Sequence, residues 1–148
     1  MRIVLQRVSR ASVRVGDELV AEIGPGLLLL VGIGADDAFG EYDRIAEKVM
    51  HLRVFEDEDG RMNRSLAEVG GQVLVVPQFT LYGDVRRGRR PSWDGAAPSD
   101  VAAGRVEAFA RALEDRGADV RRGAFREHMA VELVNDGPVT LWIDAAST

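Results

Sequence analysis

Apolar and polar residues alternate at Ala11-Ser12-Val13-Arg14-Val15, the pattern of a strand with one buried face. Gly16-Asp17 follows as a two-residue hairpin turn with glycine first, and Glu18 to Ile23 returns as the second strand. Gly24-Pro25-Gly26 breaks that strand. Leu27 to Ile33 is short and wholly apolar, which predicts a buried central strand. The spacing then changes from two to between three and four. Tyr42, Ile45, Ala46, Val49 and Met50 fall on one side of a helix, with Glu41, Asp43, Arg44, Glu47 and Lys48 outward. Asp36 or Asp37 is the expected cap.

Leu52 to Phe55 reads as a further strand, ending in the acidic turn Glu56-Asp57-Glu58-Asp59-Gly60. That turn departs from a calcium loop in the place of its glycine and in lacking a distal glutamate, so it is read as solvated. Ser65 to Val69 is a short helical piece stopped by Gly70-Gly71. Gln72 to Tyr82 is predicted to be one long strand, which puts Gln78 and Thr80 on one face and Phe79 and Leu81 on the other. Ser99 or Asp100 caps a second long helix, with Ala102, Val106, Phe109, Ala110 and Leu113 inward and Gly117 at its C-terminal end. Strands at Ala118 to Arg122, Ala130 to Asn135 and Val139 to Asp144 close the chain. Two main helices among many strands predict an α+β fold with mostly antiparallel sheets, as one domain over residues 1–148.

Composition narrows the chemistry. With 46% hydrophobic residues, the chain can build a core at its length of 148 residues. It has no cysteine, which removes disulfides, thiol catalysis and cysteine zinc sites. The N-terminal segment lacks a signal-peptide pattern, and the run Leu27 to Val31 is too short to span a membrane. A cytoplasmic protein is the expectation, with no membrane partner. A net charge of −5 argues against wholesale coating of nucleic acid, and no DNA partner is expected. Against that balance, Arg86, Arg87, Arg89 and Arg90 cluster around Gly88, followed by Pro91 and Trp93. Such a cluster on an acidic chain favours phosphate contact over a merely solvated loop.

The usual catalytic side chains are scarce. His51 ends a helix, where it meets the helix dipole. His128 precedes Met129 in a loop-like stretch and can line a pocket, with nothing nearby that argues for a metal or a base. No serine-hydrolase elbow, Walker motif or dinucleotide fingerprint is present, so no cofactor and no metal are expected. Two segments stand out instead. Val75-Val76-Pro77-Gln78-Phe79-Thr80-Leu81 carries polar residues in a strand that reads as buried. Spacing alone favours an ordinary strand threonine at Thr80. Gly137-Pro138 interrupts a strand running from Val131 to Ile143. Glycine and proline weaken a strand interior, so the pair points to backbone carbonyls turned toward a ligand.

At these residues the chain resembles the D-aminoacyl-tRNA deacylases of the bacterial Gly-Pro type. The likeness runs through Gln6-Arg7-Val8-Ser9-Arg10-Ala11-Ser12-Val13, Ile23-Gly24-Pro25-Gly26-Leu27-Leu28, Leu52-Arg53-Val54-Phe55 and Met62-Asn63. It continues through Gln78-Phe79-Thr80-Leu81-Tyr82, Arg89-Arg90-Pro91-Ser92 and Asn135-Asp136-Gly137-Pro138-Val139-Thr140. The resemblance implies that family's barrel-like fold and a homodimer that hydrolyses the ester between a D-amino acid and the 3′ end of tRNA. It implies a cis Gly137-Pro138 bond whose carbonyls enter the partner subunit's pocket, hold the substrate amino group and exclude L side chains. Glycyl esters, lacking a side chain, would pass, including glycine mischarged on the alanine tRNA. Gln78, Phe79 and Thr80 would form the catalytic wall near the ester, with backbone N–H groups at Phe79 and Thr80 as oxyanion donors and the ribose 2′-hydroxyl as an aid to water. Phe125 and Met129 correspond to positions around the terminal adenosine. Arg86, Arg87, Arg89 and Arg90 would contact the tRNA.

One departure concerns Pro77, where the family usually has serine. A related group of laxer chirality also has proline there, but alanine in place of the phenylalanine, so Phe79 keeps this chain with the strict type. The alternatives are a non-catalytic tRNA-binding module of the same fold, an editing domain like that of archaeal threonyl-tRNA synthetase, and a purely structural dimer.

Overall fold

The computed structural model describes residues 1–38 and 40–148. The first strand, β1 (Arg2–Val15), is longer than alternation alone predicts. β2 (Glu18–Ile23) and β3 (Gly26–Gly32) follow, then helix α1 (Glu41–His51) and the small hairpin β4 (Phe55–Glu56) and β5 (Met62–Arg64). Next come the one-turn helix α2 (Leu66–Val69), β6 (Gln72–Pro77), a 3-10 turn (Phe79–Tyr82), α3 (Ser99–Glu114), β7 (Asp119–Arg122) and β8 (Ala130–Asp144). The chain is a single-domain α+β fold, as expected.

β1 organises the sheet. Along one edge its first half pairs with β3, from Arg2↔Gly32 to Val8↔Gly26, and its second half with β2, from Ala11↔Ile23 to Val15↔Glu18. Along its other edge it pairs with β8 from Arg2↔Asp144 to Arg14↔Ala130. Register shifts flank Val8 in this last pairing. Such irregularities bend a strand and sharpen its twist, and here the sheet curls toward a barrel. The bend also changes which side chains meet. Ile3 and Leu5 pack with the helices, whereas Val8, Ala11 and Val13 join a second core on the opposite face.

The pairings along β1 are antiparallel, so the sheet is mostly antiparallel as expected, and the rest of it is parallel: β3 pairs with β6, and β6 with β7. Helices make the crossovers that parallel strands need. Leu27, Leu29, Val31, Val73 and Val75 face α1 and α3, while Leu28, Leu74 and Val76 face the second core. Burial on both faces explains why the Leu27–Ile33 run shows no alternation. Gly26 permits the close β3–β6 approach, since a Cβ there would lie 1.9 Å from the Gln72 carbonyl oxygen.

The predicted inward residues of α1 are all buried, as are those of α3. The capping expectations were less accurate. α1 starts at Gly40 without a side-chain cap, and α3 starts after Pro98. The Asp37 carboxylate instead meets the Met1 ammonium at 2.5 Å, the Gly34 N–H at 2.6 Å and the Tyr82 hydroxyl at 3.3 Å. α2 carries a capping box between Ser65 and Glu68, and Gly70 takes the left-handed C-cap. Leu52 to Val54 is not strand, and β4 begins only at Phe55. No helix is long and apolar enough to cross a membrane.

Candidate active site

The long strand predicted from Gln72 to Tyr82 ends at Pro77. Proline lacks the N–H that would continue a ladder, which suits it to a strand end. Gln78 then donates its N–H to the Val31 carbonyl at 2.8 Å, and the chain turns into the 3-10 helix Phe79–Tyr82. The first bond of that turn runs from the Leu81 N–H to the Gln78 carbonyl, 3.2 Å. The N–H groups of Phe79 and Thr80 precede it, so the turn has no carbonyl of its own to offer them. The two-faced strand arrangement of Gln78, Thr80, Phe79 and Leu81 is therefore replaced by a turn. The Gln78 amide donates to the Thr80 hydroxyl, and Thr80 is exposed.

A cavity of about 540 Å³ opens beside this turn. Pro77, Gln78 and Phe79 line it from the end of β6, with Val31 and Ile33 behind. Ala97, Ser99, Ala102 and Val106 come from the start of α3, and Phe125 to Met129 from the loop before β8. Its size suits a small-molecule or nucleoside-sized ligand. The loop is shaped by Arg126, whose φ of 65° is the one positive value at a non-glycine residue among the described residues. The Arg126 guanidinium clasps the Ser99 hydroxyl, closing the loop against α3. Gln78, Phe79, Phe125 and Met129 are thus brought together in one cavity, and His128 lines it too. Thr80 stands beside Gln78 but is not part of the lining.

Gly137 and Pro138 lie elsewhere. They are exposed in the middle of β8 and do not line this cavity. The strand runs through the pair, joining the two predicted pieces into one of 15 residues. The Gly137-Pro138 bond is cis, and Gly137 has a φ of 141°. Asn135 braces the segment locally. Its Oδ1 accepts from the Val139 N–H at 2.8 Å, and its Nδ2 donates to the Thr140 hydroxyl at 2.9 Å. From below, the buried Arg7 guanidinium donates to the carbonyls of Asp136 at 2.8 Å and Val54 at 2.7 Å. The Glu56 and Asp136 carboxylates stand 3.6 and 3.7 Å from it. Sequence reading assigned Arg7 no role. A lone arginine in an alternating strand looks solvent-facing until tertiary structure buries it.

The arginine loop leaves the 3-10 turn and returns at Ser92, its base closed by two backbone hydrogen bonds between Asp84 and Ser92 at 2.9 and 3.0 Å. Arg86 is committed to Asp84, whose carboxyl it holds down at about 2 by hydrogen bonding. Arg87, Arg89 and Arg90 are exposed and make no ion pair among the described residues. Tyr82 sits under the loop, its hydroxyl pushed well above its usual value by burial and by Asp37. The Arg2 guanidinium lies over the Tyr82 ring at 4.4 Å and donates to the Leu81 carbonyl at 3.1 Å. His51 ends α1 and is exposed, with its Nε2 3.2 Å from a Glu47 carboxylate oxygen one turn back. Among the described residues, no three His, Cys, Asp or Glu side chains gather as a metal site.

Relatives share this framework. The chain is 57% identical over 146 residues to the D-aminoacyl-tRNA deacylase of Roseiflexus sp. (strain RS-1), covering 99% of this chain and 94% of that protein. It is 55% identical over 148 residues to the protein of the same name from Symbiobacterium thermophilum, covering 100% and 98%. Among solved structures, the c-Myc DNA Unwinding Element Binding Protein superposes with a TM-score of 0.91 at 38% identity, covering 97% of this chain and 98% of that one. A probable eukaryotic D-amino acid tRNA deacylase shares the fold with a TM-score of 0.83 at 20% identity, covering 96% and 97%. The D-Tyr-tRNA(Tyr) deacylase family profile matches residues 4–144, and with these relatives at this identity the chain belongs to that family.

Proposed function

We propose that this chain hydrolyses the ester linking a D-amino acid to the 3′-terminal ribose of tRNA, releasing free D-amino acid and intact tRNA. The observation that carries the reading is the cavity in which Gln78 and Phe79 face Phe125 and Met129, within a chain of this family. Phe125 and Met129 hold the terminal adenosine, and Gln78 to Thr80 flank the ester. Water adds to the ester carbonyl carbon. Charge develops on the carbonyl oxygen, where the N–H groups of Phe79 and Thr80 receive it. The bond to the ribose 3′ oxygen then breaks, and that oxygen leaves with a proton drawn from the water. The vicinal 2′-hydroxyl orients the attack. Thr80 is not the nucleophile, because no base stands ready to activate it: its hydroxyl accepts from the Gln78 amide.

Handedness is decided by Gly137 and Pro138 of a second copy of the chain in a homodimer. Two features support this. The pair is exposed and outside its own protomer's cavity. Along β8, whose outer edge pairs with no strand among the described residues, Val134, Leu141 and Trp142 are exposed around it, an apolar surface for a partner. Backbone carbonyls presented rigidly there hold the substrate amino group and leave no room for an L side chain. A glycyl ester, with no side chain, passes. The test is a parallel assay on D- and L-tyrosyl-tRNA. Rapid release from the D-ester with the L-ester intact is expected, and comparable rates refute the gate. A chain that binds tRNA and releases neither amino acid is instead a binding module.

A further inference from the structure

At the cavity mouth, two aromatic rings are left partly open to solvent by the described residues. Phe79 is 55% exposed and Trp93 41% exposed, yet both line the cavity. Their centroids are 5.2 Å apart with the planes at 70°, an edge-to-face pair. The indole is seated by Gly83: a Cβ there would come within 2.8 Å of its Cζ3. Trp93 also follows Ser92 directly, and Ser92 closes the base of the arginine loop. The pair and the unpaired Arg87, Arg89 and Arg90 are therefore neighbours by construction.

We propose that Trp93, edge-packed by Phe79, is a stacking platform for the unpaired nucleobase just before the terminal adenosine of tRNA. This rests on the deacylase reading of the cavity. An ester seated inside leaves its polynucleotide strand to exit across the mouth. The nucleotides there are single-stranded, so their flat faces are free. Base–aromatic stacking needs no sequence-specific hydrogen bonds, and single-strand sites combine such rings with a basic track for the backbone. Three arginines with no carboxylate partner among the described residues, on a chain of net charge −5, supply that track.

The experiment compares D-tyrosyl-tRNA with the minimal ester 3′-O-D-tyrosyl-adenosine, which has no preceding nucleotide. Trp93→Ala is expected to raise KM on the tRNA so that its loss in kcat/KM exceeds its loss on the adenosine ester by about tenfold. Trp93→Phe recovers most of that difference. Equal losses on both esters make Trp93 a cavity wall and overturn the platform. So does conversion of Trp93→Ala to monomer in sedimentation, which assigns the rings to a protein contact. A binding titration separates failure of the platform from failure of the deacylase reading. Uncharged tRNA should change tryptophan fluorescence in the wild type, and the change should vanish in Trp93→Phe, which retains only Trp142. An unaltered signal overturns the platform whether or not the wild type hydrolyses either ester.

Discussion

Thr80 and Gly137 show how differently single residues act here. The Thr80 hydroxyl is exposed and tied to the Gln78 amide, whereas the neighbouring N–H groups open the 3-10 turn. Thr80→Ala should therefore keep D-tyrosyl-tRNA hydrolysis within a few-fold of wild type. A folded variant slowed by about 100-fold or more gives the hydroxyl a direct part. Gly137 is the opposite case. Its φ of 141° is disfavoured for any side chain, and a Cβ would lie 2.8 Å from Val139 Cγ2 and 3.1 Å from Arg7 Nη2. Gly137→Ala should cost about 1–3 kcal/mol of stability, a modest fall in Tm, while deacylation is lost far out of proportion. Activity that tracks stability in that variant removes Gly137 from the site.

Among the elements, α3 and β7 are tied together by a charged cluster. Arg122 donates to Glu107 at 2.8 Å and to Glu114 at 2.7 Å, bridging one strand to two turns of helix. Both carboxyls are held below their ordinary 4.5, first by these hydrogen bonds. A depressed carboxyl favours the folded state at pH above its unfolded value, and that contribution fades as pH falls through the folded one. All three groups are part-exposed, so solvent limits the junction to about 1 kcal/mol or less. Arg122→Met should lose that much in urea unfolding at neutral pH. The gap to wild type should close as the pH drops below 4.5. A gap unchanged at acid pH means the arginine acts through packing alone.

For the molecule as a whole, β8 is decisive. One edge is zipped along β1 from end to end, and the other has no partner strand among the described residues. Exposed strand edges with apolar side chains recruit other chains. If the proposed homodimer forms through this edge, Leu141→Asp should shift the protein toward monomer in sedimentation and reduce deacylation with it, because in that proposal a lone protomer lacks the gate. A fully active monomer refutes the shared site. The same strand shows where sequence reading succeeded and where it stopped. Periodicity placed the inward faces of α1 and α3 correctly, because a helix's buried stripe is a local property. It placed Gln78 and Thr80 wrongly, because Pro77 ends β6 and the next four residues turn. Arg7 and Asp37 are not legible from spacing because groups that hold them, Val54 and Asp136 for Arg7 and Met1 and Tyr82 for Asp37, come from distant parts of the chain.

The order of residues alone determined the helices, the buried β3, the Gly-Pro interruption and the family, since each is written in local spacing or in a continuous motif. Tertiary structure decided the rest. Only folding sets Phe79 beside Trp93, brings Phe125 and Met129 opposite Gln78, and buries Arg7 beneath Gly137. Those contacts join segments far apart in sequence. They form where the end of β6, the start of α3 and the loop before β8 meet, and where β8 pairs along β1.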